Sequence, residues 1–84
     1  MASMSTTLKA NEINHAVMAT FDPNNWVAFE TAALHRLQAQ LPAAAVATVV
    51  VDVLASNHHT PIGLKFTVTS TAVLTAPQVK GALR

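Results

Sequence analysis

The adjacent imidazoles of His58 and His59 are the most conspicuous reactive groups in the sequence, because imidazole is a common ligand for zinc, copper and nickel. Neighbouring histidines chelate poorly on their own. A metal would also need His15, His35 or Asp52 brought alongside, and no HxxxH or HExxH spacing foretells that. The plainer role for the pair is a solvated turn, which leaves them weak metal candidates. Glu30 falls inside an otherwise apolar arc with Phe29, Ala33 and Leu37. A carboxylate there is either a catalytic acid in an apolar pocket or a structural group reaching a partner at the edge of the core. With Asp52 it could form a carboxylate pair for acid/base work, although a lone aspartate in a valine-rich strand also guards against aggregation. Trp26 and Phe29, one helical turn apart, could stack a base or sugar, but with so few basic residues nearby they read as core anchors. Serine, threonine and histidine are present without a GxSxG element, and Gly63 and Gly81 are too few and too far apart for a phosphate-cradling loop. No catalytic residue and no cofactor is therefore assigned.

The elements that position these groups must come from one domain. With 84 residues and no cysteine, neither disulfides nor thiolate metal sites can supplement a hydrophobic core. Charged residues make up 11% of the chain, well under the ~25% of ordinary soluble proteins. The permanent cations, Lys9, Arg36, Lys65, Lys80 and Arg84, are scattered singly, so no phosphate-tracking patch exists and nucleic acid is not an expected partner. The longest apolar run, Ala43 to Val51, is far short of the ~20 residues needed to span a bilayer, so no membrane insertion is expected. Met1 to Thr7 lacks the basic and apolar regions of a signal peptide. The compartment is left open.

Residues 1–10 are small and polar, which predicts a disordered N-terminal arm followed by a single domain over residues 11–84. From Ile13 to Phe21 the alternation of Val17, Ala19 and Phe21 favours a strand, with a helix the competing reading. Asp22-Pro23 signals a helix start, and Pro42 ends the helix near Leu41. Trp26, Phe29, Ala33, Leu37 and Leu41 lie on one stripe of it, with Leu34 beside them and Thr31, His35 and Gln38 opposite.

Ala45 to Ala55, dense in valine, predicts a central strand with Ala47, Val49, Val51 and Val53 on one face and Thr48, Val50, Asp52 and Leu54 on the other. Ser56 to Pro61 carries turn chemistry. Ile62 to Ser70 alternates again, with Ile62, Leu64, Phe66 and Val68 inward and Lys65, Thr67 and Thr69 outward. Thr75-Ala76-Pro77 opens a short helix that buries Val79 and Leu83. The fold class is α+β, a small two-layer sandwich in the order β-α-β-β-α with helices on one face of an antiparallel sheet.

The helix FETAALHRLQAQL, the strand VATVVVDVL, the polar loop, the strand GLKFTVTS and the closing helix TAPQVKGAL together resemble the layout of SEA-type domains over roughly residues 13–84. That resemblance implies a ferredoxin-like sandwich and a role in association between proteins. Self-cleaving members place a serine after a strained glycine. The matching pair here, Gly63-Leu64, has no nucleophile, so the resemblance implies a non-cleaving member.

These readings converge on a non-enzymatic protein-interaction or self-association module, whose partner is another protein or a second copy of the chain as a homodimer. The weakly polar outward face, Thr48, Val50, Leu54, Thr67 and Thr69, is the expected interaction face. The alternative is a small-ligand or metal-binding domain using His58 and His59 or a pocket between helix and sheet.

Overall fold

In a computed structural model, residues 1–58 and 60–84 are described. The chain runs β1 (Ala2–Lys9), a 3-10 turn, α1 (His15–Met18), α2 (Trp26–Gln40), a second 3-10 turn, β2 (Val46–Asn57), β3 (Thr60–Ser70) and α3 (Ala76–Leu83). The strands form one antiparallel sheet in the order β1-β3-β2, and α2 and α3 pack on one of its faces. The α+β class and the two-layer arrangement are those the sequence predicts.

The buried layer is built from three stripes. The inward positions of the strands contribute Leu8, Val46, Val49, Val51, Leu64, Phe66 and Val68. From α2 come Phe29, Ala33 and Leu37, all fully buried, with Trp26, Leu34 and Leu41 packed around them. The third stripe is Val79, Ala82 and Leu83 of α3. Phe21, Trp26, Phe29 and Phe66 meet in a chain of ring contacts with centroids 5.0 to 6.2 Å apart, mostly edge-to-face, which carries the core from α2 onto the central strand.

Residues 1–10, expected as a disordered arm, instead supply β1. Eight consecutive pairs, from Ala2 opposite Ser70 to Lys9 opposite Gly63, tie them to β3. Alternation explains why: Thr6 and Leu8 turn inward and are buried, while Ser3, Ser5 and Thr7 face solvent. Because β1 occupies that place, β3 is the central strand and the valine-rich β2 is an edge, reversing the predicted arrangement.

The predicted strand over Ile13–Phe21 is likewise replaced. The Asn14 carboxamide accepts a hydrogen bond from the Ala16 N–H at 3.0 Å and caps the short helix α1, so Ile13 and Val17 become buried at i, i+4 spacing. Asp22-Pro23 makes a turn rather than a helix cap. The Asp22 carboxylate accepts from the Asn24 N–H and its carbonyl accepts from the Asn25 N–H, which delays α2 to Trp26.

Two departures come from the sheet's irregularities. A register shift between Val46 and Thr48 makes Ala47 an extra, exposed residue, so Val46 rather than Ala47 joins Val49 and Val51 in the core. Further shifts around Val53–Ser56 leave Val53 38% exposed and Ile62 48% exposed, while Pro61 is buried. The strands also run further than expected, to Asn57 and from Thr60, so the turn is tighter than Ser56–Pro61 and places His58 at φ 57.

Three side chains finish the C-terminal helix. The Thr75 hydroxyl accepts from the Gln78 N–H while the Gln78 side chain accepts from the Thr75 N–H at 2.9 Å, a capping box. At the other end Arg36 of α2 donates through Nε to the Ala82 carbonyl and through a terminal guanidinium nitrogen to the Arg84 carbonyl, each at 2.9 Å. A cation thus meets the carbonyl end of a helix dipole and pins α3 to α2.

Candidate functional site

Both helices lie on the buried side, which leaves the other sheet face without a helical cover. Across it run three rows of neighbours: Ser3, Thr69 and Thr48; Ser5, Thr67 and Val50; and Thr7, Lys65 and Asp52. The structure therefore brings together four of the five predicted interaction residues: Thr48 stands opposite Thr69, and Val50 opposite Thr67. Thr48 and Val50 are exposed; Thr67 and Thr69 on the central strand are partly screened by their neighbours. Leu54 is 57% exposed but falls at the register shift near the hairpin's far end, outside those rows. Apart from Lys65 and Asp52, opposite charges that stand opposite each other, the three rows are built of short uncharged side chains. The Ser5 and Thr67 hydroxyls bond each other across it at 3.1 Å.

The two edges of the sheet are treated differently. In an antiparallel ladder, residues alternate between pointing both backbone groups at the partner strand and pointing both away. The Val51 N–H donates to the Glu30 carboxylate at 2.9 Å, so Val51 points away from β3, as do Val49 and Val53 in the same regular stretch. Two turns further along α2, Gln38 donates to the Val46 carbonyl at 3.1 Å. The eight residues between Glu30 and Gln38 span about 12 Å of helix, so α2 runs along β2 and satisfies its edge at two points. Glu30 is thus an acceptor for the β2 edge at the rim of the core. Asp52 lies on the open face opposite Lys65, away from the helix that carries Glu30, so the two carboxylates are not brought together as a pair.

The other edge, β1, has no such cover. The Lys9 N–H donates to Glu12 at 3.1 Å, which fixes the odd-numbered residues of β1 as those pointing away from β3. Ser3, Ser5 and Thr7 consequently present backbone donors and acceptors that have no partner among the described residues. Glu12 closes the strand's end: accepting from the Lys9 backbone lowers its carboxyl below the usual range, and the Arg84 guanidinium at 3.4 Å acts in the same direction. This edge is hidden in the sequence because the small, polar segment predicts a disordered arm; the available signal is Thr6 and Leu8, set two apart and turned inward.

The metal candidates find no support in the arrangement. His58 sits in the hairpin turn, His59 lies outside the described residues, and no group of three or more histidine, aspartate or glutamate side chains gathers among the described residues. A cleft of about 190 Å³ does open beside the turn. Phe21, Trp26, Val53 and Pro61 form its apolar walls, and Ser56 and His58 are the polar members of its lining. Gly63 stands in β3 opposite Ala55, where an added Cβ would find its nearest neighbour at 4.0 Å, so the backbone there is not crowded into needing glycine. Among the described residues no helix is long and apolar enough to cross a membrane. Comparison with protein-family models, with curated proteins and with solved structures finds no match for the chain.

Proposed function

We propose that this domain is a non-enzymatic protein-interaction or self-association module, working through the side of its sheet that the helices leave open. The observation that carries the reading is the contrast between the two layers. One face of the sheet is covered by α2 and α3 and carries the buried core, whereas the other presents Thr48, Val50, Thr67 and Thr69 beside an uncovered strand edge. The charges in its three rows, Lys65 and Asp52, are opposite in sign and stand opposite each other, so they add no net charge to keep the face apart from a partner. Sedimentation velocity across a wide concentration range tests the self-associating form. A sedimentation coefficient that rises with concentration supports it, and a coefficient that stays that of a monomer contradicts it. The SEA-like kinship and its association role belong to the same proposal, on the strength of layout alone.

The cleft beside the hairpin turn favours a second reading, a domain that takes a small apolar ligand. Its walls include the only tryptophan of the chain, so Trp26 emission reports directly on occupancy. Titration with indole or an anilinonaphthalene dye should give a saturable change in that emission that Val53→Asp abolishes. A linear, unsaturable response would remove this reading.

A further inference from the structure

We infer that the partner is a second copy of the chain and that it docks along β1, so that two three-stranded sheets join about a two-fold axis at Ser5 into one six-stranded sheet. The inference rests on the self-association reading and specifies its surface. An unpaired edge is a template for another strand unless something blunts it, and the usual devices are proline, charge, a bulge or a covering element. On β2 those devices are present: Glu30 and Gln38 reach its backbone from α2, Asp52 sits in mid-strand, and the register shifts at both ends. On β1 they are absent. The ladder from Ala2 to Lys9 is unbroken, and the strand contains no proline and no charge before Lys9.

The register follows from which groups are free. Only Ser3, Ser5 and Thr7 point unpaired groups outward, because the Lys9 N–H already donates to Glu12. Antiparallel pairing centred on Ser5 sets Ser3 against the second copy's Thr7 and Ser5 against its own counterpart, so those residues pair only among themselves. A centre one residue later would set Ser3 against Lys9 and compete with Glu12. The small hydroxyl side chains place no like charges opposite one another, and a net charge of +1 leaves little repulsion between copies.

A second copy suits this surface better than an obligate partner. The surface of the chain, 4755 Å², agrees with the ~4,800 Å² expected of a compact monomer of its mass. Eight strand residues make an edge about 26 Å long. Joining two such edges buries less than the ~1,000 Å² that marks stable interfaces, so the dimer is concentration-dependent, with a dissociation constant of ~10 µM or weaker.

Sedimentation equilibrium of the wild-type chain and three variants tests the inference. Ser5→Pro deletes an N–H that the monomer does not use, and it should weaken the dimer at least tenfold while circular dichroism stays native. Ser5→Lys sets two lysines directly opposite each other, with Cα atoms about 5.5 Å apart, and should weaken it in a way that added salt partly reverses; it serves if the proline variant fails to fold. Ser5→Cys, in a chain with no other cysteine, should yield a disulfide-linked dimer under a mild oxidant, because that spacing lies within disulfide range. A wild-type dimer unaffected by the proline and lysine changes overturns the β1 edge and leaves the broader proposal standing. A chain that is monomeric at every concentration overturns both.

Discussion

Single side chains here close backbone positions that the fold would otherwise leave open. Glu12 is the clearest case for pH. Its folded pKa lies below the ordinary carboxylate value because the charged form accepts from the Lys9 N–H and faces Arg84. A depressed pKa means that its contribution to stability is complete above the unfolded value and fades as pH falls through the folded one. The Lys9 amide resonance should therefore shift in acid with a midpoint below that of a free glutamate, and Glu12→Gln should abolish the shift. A midpoint at the free value would show that the contact does not form in solution. Glu30 makes the second closure. Glu30→Ala strips the Val51 N–H of its acceptor and should cost about 1 kcal/mol in urea unfolding, while Glu30→Gln, which keeps an acceptor, should cost less. The sequence offers Glu30 as a carboxylate reaching a partner at the edge of the core but does not identify that partner as a strand edge, and the role of Glu12 is not legible in it.

At the level of elements, the strongly periodic segments were legible and the weakly periodic ones were not. Phe29, Ala33 and Leu37 recur at helical spacing and are all buried, so that core stripe was foreseen. So were Leu64, Phe66 and Val68 in β3, and Val79 and Leu83 in α3. What failed was anything decided by distant partners. The serines of β1 have little strand propensity, and the strand acquires order from the ladder to β3, some sixty residues away. Ile13–Phe21 was misread because Asn14, a cap, was not weighed against a short alternation. The shift at Ala47 exchanged which of two neighbours enters the core, a choice that the pattern of small apolar residues does not encode. Leu37→Ala should cost about 2–5 kcal/mol, since it removes a fully buried side chain from between α2 and the sheet. Arg36→Ala should be milder, about 1–2 kcal/mol, and should speed amide exchange selectively in α3, whose last carbonyls it leaves without their donors. Uniform acceleration over the whole chain would contradict that assignment.

For the molecule as a whole, the account turns on an asymmetry between the edges of one sheet. Along β2 the helix supplies acceptor and donor; along β1, among the described residues, only Lys9 at its end finds a side-chain acceptor, Glu12. The candidate face was legible in part, because the outward set on β2 and β3 could be read from alternation. The edge that completes it could not, since its strand was not recognised and the predicted order put β2 at the centre.

Residue-resolved amide exchange at two protein concentrations tests this claim most directly. The account predicts that Met4, Thr6 and Leu8, bonded to β3, are protected at both concentrations, and that Ser3, Ser5 and Thr7 exchange freely when dilute and gain protection when concentrated. Free exchange along all of β1, or concentration-dependent protection confined to Val49 and Val53 on β2, would contradict it.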